Sequence, residues 1–126
     1  MDQTTLENLL NTLIATWENE VVEFKEVGDS YSTSDIGKYF SALANEANLR
    51  SLERAWLVFG VNNRSKAPTN TDFRPQSERL QGTKKQIADG TEPNISFRNI
   101  YEFQANSGGR VILFEIPAAP RGMPIA

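Results

Sequence analysis

The chain has 126 residues, of which 39% are hydrophobic and 23% charged, and this predicts one globular domain large enough to bury its own core. It contains neither cysteine nor histidine, which excludes disulfides, thiolate metal sites and catalytic sites of the Ser-His-Asp or Cys-His kind. Residues 1–53 carry ten acidic and three basic side chains, a net of −7, whereas residues 54–126 carry six acidic and ten basic, a net of +4.

A first helix is predicted to begin at Thr4. Thr4 and Glu7 have the spacing of a capping box, in which Thr4 is the N-cap and Glu7 reaches back to it. An apolar stripe then recurs at helical spacing through Leu6, Leu9, Leu10, Leu13, Ile14 and Trp17. This stripe is expected to pack against the core, and a dimer interface is the alternative.

Three carboxylates follow this helix within six residues, at Glu18, Glu20 and Glu23. Residues 21–25 alternate in hydrophobicity and predict a short strand. Carboxylates suit Mg²⁺ or Mn²⁺, and a metal held beside a basic surface could cleave phosphodiesters. Solvated acids at a helix end and on an edge strand are the alternative interpretation.

A second helix is predicted over residues 35–48, with Thr33 or Ser34 as its N-cap. Residues 55–61 are a continuous run of β-branched and aromatic side chains, which indicates a central strand buried on both faces. A weaker helix is predicted over residues 76–88, with Gly82 inside it.

Strands predicted over residues 95–103 and 110–116 are joined by a hairpin turn. The whole order predicts an α+β fold, with a mixed sheet of about four or more strands packed with three helices and ending in a β-hairpin. Residues 1–117 are expected to form the domain, and residues 118–126 a proline-rich tail leading into a further C-terminal region. Without a signal peptide or a long apolar stretch, the chain is expected to be cytoplasmic.

Cations concentrate in residues 54–85, which hold seven basic and two acidic side chains, a net of +5. This asymmetry indicates a surface that faces a polyanion, and a solvated loop and helix are the alternative. The predicted phosphate contacts are Lys25, Arg64, Lys66, Arg74, Lys84 and Lys85. Binding of this kind is weakened by salt, and reversal of Lys84 and Lys85 to glutamate is expected to abolish it. Tyr101 and Phe103 are candidates for stacking on bases, with core packing as the alternative.

Four segments resemble the Schlafen AlbA-like domain family, also described as a divergent AAA domain. That family shows a glutamate, four residues and then Glu-Phe-Lys, as at Glu18 and 23–25 here. Its Ser-Ala-Phe-Ala-Asn helix is similar to residues 41–45, its Gly-Val-Asp strand end to residues 60–62, and its last strand to residues 112–117.

The resemblance implies a mixed α/β fold and a DNA- or RNA-binding domain at the N-terminus of a bacterial transcriptional regulator. ATPase-like and winged-helix regions of the same chain are the implied partners. A homodimer is expected as well and is compatible with each of the functions considered. Related nuclease cores use two glutamates and an aspartate, which correspond to Glu18, Glu23 and Asn62. Because an amide binds Mg²⁺ more weakly than a carboxylate, we expect a non-catalytic domain without a cofactor. The alternatives are a Mg²⁺-dependent ribonuclease that uses Glu18 and Glu23, and a protein-interaction or dimerisation domain.

Overall fold

The computed structural model describes residues 2–17, 20–91 and 95–120, which form a four-stranded sheet with helices on both of its faces. The elements in chain order are α1 (Gln3–Thr16), β1 (Val22–Lys25), α2 (Thr33–Leu49), β2 (Arg54–Phe59), α3 (Ser77–Gln81), α4 (Thr83–Gly90), β3 (Asn99–Gln104) and β4 (Arg110–Pro117). The predicted α+β class, mixed sheet and terminal hairpin are confirmed. The predicted third helix is divided at Gly82 into α3 and α4.

The sheet has the order β1-β2-β4-β3, with β1 parallel to β2 and the other neighbours antiparallel. Lys25 lies opposite Phe59, and Phe59 lies opposite Ile112. The carboxyl ends of β1 and β2 therefore lie beside the amino-terminal half of β4, at the same end of the sheet. The loops that follow β1 and β2 come together at this end.

Each face of the sheet has its own core. On one face, α2, α3 and α4 cover a cluster whose largest fully buried side chains include Phe40, Phe59 and Phe114. On the other face, α1 buries Leu6, Leu10 and Leu13 against strand residues. Leu6, Leu10 and Leu13 of the α1 stripe therefore pack inside the domain, whereas Trp17 at its end is exposed.

Both predicted helix caps are displaced. Asp2, not Thr4, caps α1, and its Oδ1 accepts a hydrogen bond of 2.8 Å from the backbone N–H of Thr5. That bond lowers the pKa of Asp2 below 3.8. Ser32, not Thr33 or Ser34, caps α2. The predictions were wrong because a cap must itself have extended backbone dihedrals, which residue spacing does not determine.

The first residues of the predicted proline-rich tail pack on the domain. The backbone N–H of Ala118 donates to the carbonyl of Glu53, and that of Ala119 donates to the carbonyl of Ala44. The side chain of Ala119 is buried, whereas residues 121–126 lie outside the described residues. No helix within the described ranges is long and apolar enough to cross a bilayer.

Candidate nucleic-acid interface

A cleft of about 280 Å³ opens where β1 and β2 end, and we call it the β1–β2 cleft. Its lining residues come from β1 and from the loop after β2: Glu23, Phe24, Lys25, Glu26, Asn62, Asn63 and Arg64. Ligands of open sheets commonly bind outside the carboxyl ends of parallel strands. The strand pairing thus brings Glu23, Lys25 and Arg64 together from distant parts of the sequence.

A glycine allows the loop to leave β2 at this point. Gly60 has φ +91°, and a Cβ atom at this position would lie 2.4 Å from the carbonyl oxygen of Arg110. Any side chain would therefore force the loop away from β4. The chain then turns back on itself, and the backbone N–H of Thr69 donates to the carbonyl of Gly60 at 2.7 Å.

Asn62 closes the turn that carries Arg64. Its Oδ1 accepts hydrogen bonds of 2.9 Å from the backbone N–H groups of Arg64 and Ser65. Its Nδ2 donates to Oε1 of Glu26, also at 2.9 Å. The amide oxygen is therefore occupied by the turn itself, and the amide nitrogen by Glu26 just after β1. These bonds fix the position from which Arg64 projects.

The side chain of Asn62 offers no free oxygen to a divalent cation in the β1–β2 cleft. Glu23 and Glu26 line the cleft, but the oxygen of Asn62 already accepts two N–H groups and its nitrogen faces Glu26. Among the residues that the structure describes, no group of three carboxylates could hold a metal ion. The predicted ligand Glu18 lies outside the described residues.

The cations of the cleft differ in how they are held. The Arg64 side chain is exposed, and it makes no hydrogen bond or ion pair within residues 2–17, 20–91 and 95–120. Lys25 Nζ donates to the hydroxyl of Tyr39 at 2.8 Å, and this bond raises the pKa of Lys25 above 10.5. Within the described ranges no side chain competes with a ligand for Arg64, and Lys25 is a fixed cation at neutral pH.

Lys66 lies beside this cleft and is held by aromatic rings. Its Nζ is 4.9 Å from the centroid of the Trp17 ring and 5.3 Å from that of Phe24, and it also donates to the carbonyl of Asn63. Cation–π contacts of this kind contribute about 0.5–1 kcal/mol at exposed sites. Lys66 therefore fastens the loop after β2 to the end of α1.

Comparisons with known proteins identify the family of the chain and a similar fold. The family model described as Schlafen, AlbA_2 matches residues 18–125. The chain belongs to this family. The fold is similar to the crystal structure of the DIP2311 protein from Corynebacterium diphtheriae, with a TM-score of 0.56 and 16% sequence identity over 91% of this chain and 23% of that chain. That likeness concerns the fold alone, and no curated protein matches the chain.

Arg74 is buried in this Schlafen AlbA_2 domain, contrary to its predicted place on a binding surface. Its Nη1 donates to Thr83 Oγ1 at 2.8 Å and to Gln86 Oε1 at 2.6 Å, and its Nη2 donates to Thr33 Oγ1 at 2.9 Å. Burial lowers the pKa of the Arg74 guanidinium below its ordinary value. The guanidinium joins the start of α2 to α4, and we count it among the structural residues.

Lys84 and Lys85 lie on α4, and neither lines the β1–β2 cleft. Lys85 Nζ is 3.0 Å from Oδ2 of Asp89, and Lys84 Nζ donates to the carbonyl of Arg98 at 3.4 Å. The predicted phosphate contacts are therefore divided among the cleft, the interior and α4.

A second cleft, not expected from the sequence, adjoins the first, and we call it the α2-edge cleft. It measures about 550 Å³ and is lined by Lys25, Tyr31, Asp35, Lys38, Tyr39 and Ala42. The lining residues of α2 recur at helical spacing and share one face, a signal that could have located them. Of the aromatic residues weighed for stacking, Phe103 is buried and Tyr101 is half-buried against the core beneath α1.

Proposed function

We propose that this Schlafen AlbA_2 domain is a non-catalytic nucleic-acid-binding module of a cytoplasmic bacterial regulator. The observation that carries the proposal is the position of Arg64. Its exposed guanidinium projects from a turn at the carboxyl ends of parallel strands and has no partner in the described part of the chain. Arginine forms bidentate hydrogen bonds with phosphate, which suits it to such a place.

The charge around the cleft favours contacts to the nucleic-acid backbone. Two cations, Lys25 and Arg64, and two carboxylates, Glu23 and Glu26, line the cleft, so the lining as a whole carries no net positive charge. The exposed Arg64 side chain, which has no partner in the described ranges, would meet the phosphates. Contacts to phosphate position a protein on nucleic acid without reading its sequence, and they weaken as salt rises.

The state of Asn62 supports a binding role without catalysis. The amide stands at the position of an aspartate in the related nuclease cores, and its oxygen is taken up by the turn that presents Arg64. An anionic ligand at this position would also face the carboxylate of Glu26, which now accepts a hydrogen bond from the amide. Asn62 therefore serves the geometry of the loop.

Fluorescence anisotropy with labelled duplex DNA, structured RNA and single strands tests this proposal at low and at physiological salt. We expect binding that falls steeply with salt, and a loss of about tenfold or more in the Arg64→Glu variant. Arg50→Glu is the matched control, because Arg50 is exposed at the C-terminal end of α2 and lines neither cleft. It undergoes the same change of charge as Arg64.

Two outcomes would contradict the proposal. Absence of binding to every probe at low salt would remove the nucleic-acid role. Cleavage of the structured RNA on addition of Mg²⁺ would also contradict it if Glu23→Gln prevents that cleavage. The domain would then be a metal-dependent ribonuclease and not a non-catalytic binding module.

A further inference from the structure

The α2-edge cleft combines aromatic rings and cations in a way that the proposed function has not used. Tyr31 reaches it from the loop after β1, and Tyr39 reaches it from α2. Lys25 and Lys38 stand in the same lining, and Asp35 lies three residues before Lys38 on α2. Its volume of about 550 Å³ lies within the range of about 300–1,000 Å³ that is usual for small-ligand pockets.

Both phenol rings are held in place by the folded protein. The Tyr31 ring packs edge-on against Phe59, with 5.6 Å between centroids and 76° between planes, and Phe59 is fully buried. The Tyr39 hydroxyl accepts the hydrogen bond from Lys25, whose Nζ also lies 4.8 Å from the centroid of the Tyr39 ring. Because both rings are already ordered, binding of a planar ligand would cost the protein little side-chain entropy.

The two lysines are able to contact phosphates on either side of such a ligand. An ammonium has three donors, and Lys25 uses one of them for Tyr39, which leaves two. Lys38 Nζ lies 3.9 Å from Oδ1 of Asp35, with both side chains largely exposed. An exposed ion pair of this length contributes little, so Lys38 is able to exchange it for a phosphate, and Asp35 then remains as an acceptor for a base N–H.

Lys25 also connects the two clefts, because it lines both of them. A chain of phosphates that contacts Lys25 could pass Arg64 on one side and Lys38 on the other. In a duplex the bases are stacked on one another and shielded from a side pocket. In a single strand each base offers its face, and stacking on aromatic rings tolerates any base sequence.

From these contacts we infer that the α2-edge cleft binds one unpaired base of a single-stranded nucleic acid. The base stacks on the Tyr31 and Tyr39 rings, and the adjoining phosphates contact Lys25 and Lys38. This inference rests on the proposed function and adds the class of ligand, which is a single strand. The strand continues from this cleft to Arg64 in the β1–β2 cleft.

The test compares a labelled single strand, as DNA and as RNA, with a duplex of the same sequence. We expect Tyr39→Leu to weaken binding of the single strand about tenfold and binding of the duplex much less, because both lose the partner that holds Lys25 but only the single strand loses a stacking ring. Tyr39→Phe keeps the ring and should bind close to the parent. Tyr101→Leu is the matched control, because it removes a half-buried tyrosine from the opposite face of the sheet, and thermal unfolding verifies that each variant is folded.

A second measurement avoids substitution altogether. A single strand carrying 5-iodouridine is photo-crosslinked to the parent protein, and the attached peptide is mapped by mass spectrometry. Crosslinks on Tyr31 or Tyr39 support the inference. Crosslinks confined to other parts of the chain would overturn it, as would a folded Tyr39→Leu variant that binds single strands like the parent.

The two proposals fail in different ways. If the parent binds no nucleic acid, the proposed function fails and this inference fails with it. If the parent binds duplex and single strand equally, and Arg64→Glu weakens both while Tyr39→Leu weakens neither, the proposed function stands and this inference is overturned.

Discussion

Two basic regions of this domain use their positive charge differently. In the β1–β2 cleft, Arg64 is exposed and has no partner in the described ranges. In the region of α3 and α4, Arg74 is buried in hydrogen bonds and Arg79 is 2.9 Å from Oδ1 of Asp29. Lys85 has Asp89 at 3.0 Å. The comparison teaches that a dense run of cations in a sequence does not say which charges remain available to a ligand.

The region of α3 and α4 needs its charges for its own stability. α3 has five residues and α4 has eight, lengths at which a helix is marginal without tertiary contacts. Arg74 supplies such contacts between the start of α2 and α4, and Arg79 binds the loop that precedes α2. The cleft, in contrast, rests on a hydrogen-bonded turn and leaves its arginine exposed.

The largest expected effect is on stability, in the Arg74→Met variant. Loss of the buried guanidinium leaves the buried hydroxyl of Thr83, and the side chains of Thr33 and Gln86, without their donor, and we expect the free energy of unfolding in urea to fall by about 3 kcal/mol. The affinity of the folded fraction for nucleic acid should not change. Arg98→Met, at an exposed position, is the control and should change stability by less than about 0.5 kcal/mol. A stable Arg74→Met variant with weakened binding would place Arg74 in the ligand site.

Neutralising the exposed cation of the cleft comes next in size. We expect Arg64→Gln to leave the unfolding free energy unchanged and to reduce the slope of log affinity against log salt by about 0.9 for duplex or 0.7 for single strands. The slope is measured by anisotropy from low to physiological salt. An unaltered slope would mean that Arg64 meets no phosphate, and the difference between the two regions would then disappear.

The α4 lysines should show a smaller effect than the cleft arginine. Sequence reasoning expects the double reversal of Lys84 and Lys85 to glutamate to abolish binding. Because neither lysine lines a described cleft, we expect about a threefold loss at physiological salt, where charges that act over about 8 Å or more are screened. The loss is compared with that of Arg64→Glu under the same conditions. A larger loss from the lysines would reverse the ranking of the two regions.

The smallest effect concerns pH and the partner of Arg79. Hydrogen bonds from Arg79 and from the backbone N–H of Arg74 hold the pKa of Asp29 below 3.8. A depressed pKa contributes stability above the unfolded value, and that contribution is lost as pH falls through the folded value. Between about pH 5 and 2, thermal unfolding of the parent should therefore shift more steeply than that of Asp29→Asn. Identical pH profiles would show that this ion pair stabilises nothing.

Much of the fold could be predicted from local patterns. The 3.6-residue stripe of α1 and the continuous apolar run of β2 correctly indicated a packed helix and a central strand. Helix caps and the division at Gly82 were less accessible, because each depends on the backbone dihedrals of one or two residues. The candidate site could be predicted only in part, because no local pattern shows that Tyr31, in a loop, and Tyr39, on α2, line the same cleft.

The sequence by itself determined the element order and the excess of cations after residue 53. The tertiary structure alone decided which of these cations are available. Arg74 is buried because Thr33, Thr83 and Gln86 reach it from separate helices. Arg64 is exposed because the parallel pairing of β1 and β2 carries its turn to the sheet edge. Periodicity reports only on neighbours along the chain, whereas the partner of a charge is chosen by contacts between distant segments.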